Sequence, residues 1–237
     1  MVPFTTVFIH ISWMMFVHAG VIILQTVVPF AEETTNAHGY VPTVCAHAAV
    51  CLVVHILCVY YGTVGTYDHA QETDMGLNVT YILCSSFIYE FILGWYGNKT
   101  VTYETIVHHL IGLITGTYAG IYRGKLMYWV CRCGILEAST VFLDILYVFN
   151  CCPGMKKTYS RAFIACQLTF ACIFLYLRVW LLITFTISFM YEDADQYALI
   201  TPFVLAMTAL NLYWGMQVAY KLCSTLQRIV GKKKIKN

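Results

Sequence analysis

His108 and His109 stand side by side in the stretch "TYETIVHHLIGLITGTYAGIY" (102–122), with Glu104 one helical turn before His108. Paired imidazoles titrate near neutrality, so such a site suits proton transfer or a transient acyl acceptor. Other titratable side chains stand in apolar sequence as well: His47, His55, Glu90, Arg132, Glu137, Asp144 and Arg178. A charge at bilayer depth costs several kcal/mol unless it is paired or faces water, so each is a site candidate by default.

These residues have little soluble sequence around them. The 237 residues are 59% hydrophobic and 11% charged, with a mean hydropathy of +0.68. A soluble domain carries about a quarter charged residues, so the natural solvent of this chain is a bilayer. The net charge of +2 and the lack of a basic, aromatic-interleaved patch exclude nucleic acid as a partner class. Apolar windows long enough to span fall at 3–30, 42–64, 76–97, 105–122, 126–149, 160–190 and 197–222. The expectation is an all-α polytopic membrane protein of about seven transmembrane helices. "RGK" at 123–125 makes the junction between the fourth and fifth a tight hairpin.

Loop charge sets the orientation. "GNKT", "CCPGMKKTYSR" and the tail "QRIVGKKKIKN" are basic, whereas "YDHAQETD" and "YEDADQ" are acidic. The positive-inside rule then places the tail in the cytosol and the N-terminus outside, with the acidic "AEETTNAHG" falling inside as the exception. The first run has no basic lead-in and is read as a first transmembrane helix rather than a signal peptide. Most cysteines lie in apolar runs and behave as small buried hydrophobes. Cys151-Cys152 beside "MKK" is read as a boundary pair with no role, with S-acylation as the alternative. The sequons at Asn78 and Asn98 are chance matches, one hugging a membrane face and one on the cytosolic side.

Helical spacing sorts the polar residues into faces. Glu104, His108 and Thr115 lie within about 40° of one another, so Glu104 is expected to orient the His108 ring. Gly112, Gly116 and Gly120 form a small-residue stripe with His109 on it, so His109 points at a neighbouring helix. Capping of an interfacial helix end by both histidines remains an equal alternative. Cys133, Glu137, Thr140 and Asp144 share one face of the fifth helix, and Arg132 projects about 120° away. Ser86, Glu90, Gly94 and Gly97 share a face of the third helix, and Gln167 and Arg178 one of the sixth. Two readings are open: a polar cavity, or ion pairs that neutralise one another. His47, Cys51, His55 and Cys58 run along one side of the second helix over about 16 Å, too far for one tetrahedral metal. No metal or cofactor is expected, and no Gly-rich phosphate loop, G-x-S-x-G or H-E-x-x-H occurs.

The order "CAHAAVCLVVH", "SSFIYEFILGW", "YETIVHHLIGLI", "RCGILEASTVFLD", "LYLRVW" and "LNLYWGMQVAYK" resembles the TLC-domain family, to which the ceramide synthases belong. The resemblance is closest to its small non-synthase members. It covers 42–225, leaving 1–41 as a peripheral first helix and loop and 226–237 as a basic cytosolic tail. It implies six helices forming a barrel-like bundle around a lipid-sized cavity, in the endoplasmic reticulum membrane. In the synthase branch, paired histidines and a downstream His-Asp-x-x-Asp set carry acyl transfer. His108 and His109 match the pair. The downstream stretch here reads "CRCGILEAS", without histidine or paired aspartates, and Glu137 and Asp144 are the nearest acids.

Three readings follow. The first is a protein that binds, senses or moves a membrane lipid or acyl chain, with His47, Glu90, Glu104, Glu137, Asp144 and Arg178 as the polar lining, and so affects membrane lipid composition. The second is an acyltransferase with His108 as base or acyl acceptor, His109 as its partner, and Arg178 or Arg132 steadying an oxyanion. The third is a structural subunit whose glycine stripe packs a membrane-protein partner.

Overall fold

The computed structural model describes residues 4–27, 35–36, 39–68, 70–97, 102–151 and 153–234. The loop "AEETTNAHG" is described only in part, and the sequon at Asn98 and Cys152 lie outside these residues. The elements run α1 (Phe4–Val27), β1 (Thr35–Asn36), β2 (Gly39–Tyr40), α2 (Val41–Tyr67), α3 (Glu72–Gly97) and α4 (Tyr103–Tyr122). They continue as α5 (Leu126–Leu136), α6 (Ala138–Cys151), α7 (Pro153–Thr158) and α8 (Ser160–Phe174), a π-helical segment (Leu175–Leu181), α9 (Leu182–Glu192) and α10 (Thr201–Lys234). Apart from one two-residue antiparallel ladder, Thr35 with Tyr40 and Asn36 with Gly39, the regular structure of the described chain is helical.

The short elements join end to end into long rods. α5 and α6 form one rod and α8, the π segment and α9 another, which with α1, α2, α3, α4 and α10 gives the expected seven. Five stretches are long and apolar enough to cross a membrane: Thr5–Leu24, Val44–Tyr67, Glu72–Ile92, Leu126–Asn150 and Ser160–Glu192. The two remaining rods, α4 and α10, are diluted by polar residues, which for α4 include Glu104, His108 and His109. The chain is an all-α, multi-pass integral membrane protein.

The breaks inside the rods sit at the charges. Glu137 donates its backbone N–H to Gly134 O at 3.2 Å, an i−3 bond, so the ladder slips where the acid stands. The π segment carries Arg178. A wider turn of this kind is frequent at functional sites because it shifts one side chain off the regular face. The α4–α5 hairpin turns through Arg123 and Gly124, both left-handed at φ 49° and 59°. Arg123 N–H closes α4 onto Ala119 O at 2.8 Å.

α5 is wedged among α2, α3, α4 and α9. Its approach to α2 is the tightest in the bundle: a Cβ on Gly62 would collide with the Cys131 carbonyl, and one on Gly134 would sit 2.7 Å from Cys58 O. At the α4–α5 end, Met127, Trp129, Phe189, Tyr197 and Ile200 form a core. Lys125 and the Trp129 indole both reach Asp193 there, at 3.0 and 2.8 Å. That hydrogen bond to Asp193 is the main reason the exposed Lys125 amine titrates above its usual range. A second core joins Met14 of α1 to Val50, Val54, Cys58, Ile82 and Tyr89 of α2 and α3.

Candidate functional site

α2, α3, α4, α6, α8, the π segment and α10 enclose a cavity of about 740 Å³. One end lies at Arg178, His55 and His108; the other, where α4 begins and α6 and α10 near their ends, is lined by Thr102, Glu104, Asn150, Lys221 and Thr225. The basic segment "CCPGMKKTYSR" follows α6 at this second end. Leu143, Leu146, Phe170, Ala171 and Phe174 supply apolar wall between the two.

Arg178 organises the inner end. Its NH2 donates to Glu137 Oε2 at 2.6 Å and to Thr140 Oγ1 at 2.7 Å. Its Nε reaches Ser139 Oγ at 2.9 Å and its NH1 reaches Asn211 Oδ1 at 3.5 Å. Thr140 in turn donates to Glu137 Oε2 at 2.7 Å. The same carboxylate oxygen stands 3.7 Å from His55 Nε2, and His55 Nδ1 is 2.8 Å from Asp144 Oδ2. One imidazole therefore bridges two acids on α5–α6, and one guanidinium ties the π segment to the same rod. Four of the five guanidinium N–H groups of Arg178 are thus engaged.

The adjacent histidines have different surroundings. His109 Nε2 is 3.1 Å from Glu90 Oε2 of α3, and its ring stacks on Phe87 with centroids 5.0 Å apart. A Cβ on Gly112 would strike the Phe87 ring, and one on Gly116 would sit 2.9 Å from Cys84 Sγ. The glycine stripe, including buried Gly120, lies on an α4 that packs against α3 of the same chain. His108 turns towards α10: its Nδ1 is 3.0 Å from Met207 Sδ and its ring lies 5.2 Å from Trp214.

Two expectations are corrected. Glu104 does not orient His108. It sits in the first turn of α4, where Thr102 caps the helix, and hydrogen bonds from the backbone and Thr102 hold its carboxyl below the usual range. A carboxylate beside free N–H groups at a helix start is held there, so Glu104 lines the mouth of the cavity. Arg132 does not join the interior acids. Its guanidinium lies over Tyr128 at 4.2 Å and Phe185 at 4.8 Å, outside the cavity lining. Arg132 is therefore not an oxyanion donor in the cavity, whereas Arg178 lines it with four of its five N–H groups engaged.

A family model described as the TLC domain matches residues 40–220, about three-quarters of the 237 residues. The chain belongs to the TLC-domain family. No individually curated protein and no solved structure matches it.

Within this TLC-domain protein, His47, His55, Glu90, Glu137, Asp144 and Arg178 all line the cavity with His108 and His109. On α2, His47, Cys51 and His55 line it, whereas Cys58 belongs to the α1–α2–α3 core. Thr140, already placed on the Glu137–Asp144 face, completes the surroundings with Ser139, Asn211 and Trp214, none of which the sequence singled out as a site residue. Ser139 carried a signal, since "EAST" sets its hydroxyl beside Thr140 within one turn of the acid. Asn211 carried none, because its role depends on α10 lying against the π segment.

Proposed function

We propose that this TLC-domain protein binds a membrane lipid in its cavity and thereby senses or moves lipid and influences membrane lipid composition, in the endoplasmic reticulum membrane. One observation carries the reading: charges that would be ruinous in a bilayer are paired with one another yet still line a space of about 740 Å³. That volume suits a drug-sized to single-chain ligand. The apolar wall at Leu143, Phe170 and Phe174 fits an acyl chain, and the inner end fits its head.

The chemistry of the inner end selects the head. Glu90, Glu137 and Asp144 outnumber Arg178, four of whose five N–H donors are engaged. An anionic phosphate would meet net repulsion there, whereas a neutral head that donates hydrogen bonds would be accepted. Photocrosslinking in nanodiscs with a photoreactive monoacylglycerol tests this. Labelled peptides are expected from 139–147 and 214–222, with loss of label in Ala171→Trp, which fills the wall. Label confined to the outer surface, or unaffected by Ala171→Trp, refutes the reading.

The His109–Glu90 pair favours acyl transfer as a second reading, because a carboxylate that orients an imidazole is the usual support for a general base. His109 rather than His108 is then the base. Release of free CoA from acyl-CoA in the presence of a lipid acceptor, abolished by His109→Ala and weakened by Glu90→Gln, is the corresponding result.

A further inference from the structure

α1 lies outside the residues matched by the TLC-domain model and turns Phe8, Phe16 and Ile23 outward. It nonetheless buries one polar side chain, His18, which is 5% exposed against a fully buried Tyr89. We infer that His18 is a positioning residue for the polar end of the cavity, acting through Tyr89 on His47, so that the site is completed by a helix outside the family domain. The inference rests on the lipid-binding reading for its functional meaning, though not for its geometry.

The contacts run without a gap. His18 Nδ1 is 2.8 Å from Tyr89 Oη. The Tyr89 ring stacks on His47, with centroids 5.6 Å apart and planes 12° from parallel. His47 lines the cavity, and its Nε2 is 3.5 Å from Cys51 Sγ. The Cys51 thiol donates to Glu90 Oε1 at 3.8 Å, and Glu90 pairs with His109. Tyr89 and Glu90 are consecutive on α3, so α3 offers a hydroxyl to α1 and a carboxylate to the cavity at the same level.

Two physical reasons make His18 more than a filler. An imidazole on a lipid-facing helix is costly, and an apolar residue of similar size would pack beside Met14 without that cost. A tyrosine hydroxyl buried at 0% exposure must also find a partner, and among the described residues its hydrogen bond is to His18. Without His18, the cheapest remedy is rotation of the Tyr89 ring, which removes the surface on which His47 stacks.

The test uses the full chain in phosphatidylcholine nanodiscs. In protein labelled with ¹⁵N-histidine, His18→Phe should shift the His47 ring signals and His18→Gln, which keeps a hydrogen-bonding group, should restore them. Met14→Ala loosens the packing of α1 without touching the Tyr89 hydroxyl and should leave them in place. Photolabelling of 139–147 by the monoacylglycerol probe should fall about five-fold in His18→Phe, the worth of one ordinary hydrogen bond, and return in His18→Gln. Unmoved His47 signals in His18→Phe, or equal movement in Met14→Ala, overturn the inference. If the wild type takes no label, the lipid reading falls, and the histidine signals still decide whether His18 positions His47.

Discussion

Arg178 of the π segment donates to Glu137, the residue at which the α5–α6 rod breaks, across 2.6 Å with both side chains largely buried. Two irregular turns in different rods thus meet through one charged pair. Removing one partner strands the other, which costs about 3–5 kcal/mol, whereas replacing both with apolar residues is far milder. Arg178→Met and Glu137→Met should each lower thermal stability in detergent strongly. The double variant should be more stable than the sum of the single losses predicts, and strict additivity would show that the pair is not coupled.

Arg132 provides the contrast. Its guanidinium rests on aromatic rings and its Nε is buried without a hydrogen-bond partner among the described residues. Arg132→Met gives up a cation–π contact of about 1–2 kcal/mol but also relieves an unsatisfied buried donor. The expected net change is within about 1 kcal/mol. Thermal unfolding checks it, and a loss as large as that of Arg178→Met would mean that Arg132 has an ion-pair role after all.

Glycine substitutions should rank by what the new methyl meets. At Gly62 it meets the backbone carbonyl of Cys131, which cannot move away, whereas at Gly116 it meets the Cys84 side chain at 2.9 Å. Gly62→Ala should cost at least about 1–3 kcal/mol, the usual penalty of overpacking, and Gly116→Ala less. Yield of monodisperse protein and melting temperature give the order, and a reversed order would place the tight seam at α3–α4 instead of α2–α5.

At the α4–α5 end, Asp193 serves both the Trp129 indole and the Lys125 amine, with its own side chain 2% exposed. Asp193→Ala should destabilise by about 1–3 kcal/mol by orphaning the buried indole N–H. Lys125→Met should cost little, since an exposed amine already has water as an alternative. Equal losses would mean that the ion pair, not the indole bond, holds this corner.

The sequence by itself determined the class, the rods and the residues most costly to bury. Hydropathy marked the long helices, five of them apolar enough to span by themselves, since a bilayer admits few other solutions for a chain so short of charge. Cost of burial singled out Glu90, Glu137, Asp144 and Arg178, because a charge inside an apolar run has no trivial explanation. Spacing placed His109 towards a neighbouring helix through the glycine stripe.

Only the tertiary structure decided the partners. Helical periodicity gives the direction of a side chain about its own axis but not what stands opposite. It therefore paired His108 with Glu104 on the same helix, whereas Met207 and Trp214 come from a rod about a hundred residues away. The breaks at Glu137 and around Arg178 were invisible for the same reason: "GILEAST" and "LYLRVW" hold no proline, and the slip in the ladder accompanies the cross-bundle bond. Asn211 and His18 gain meaning only when α10 and α1 dock, because a polar residue on an apolar helix becomes readable when the group that satisfies it is known.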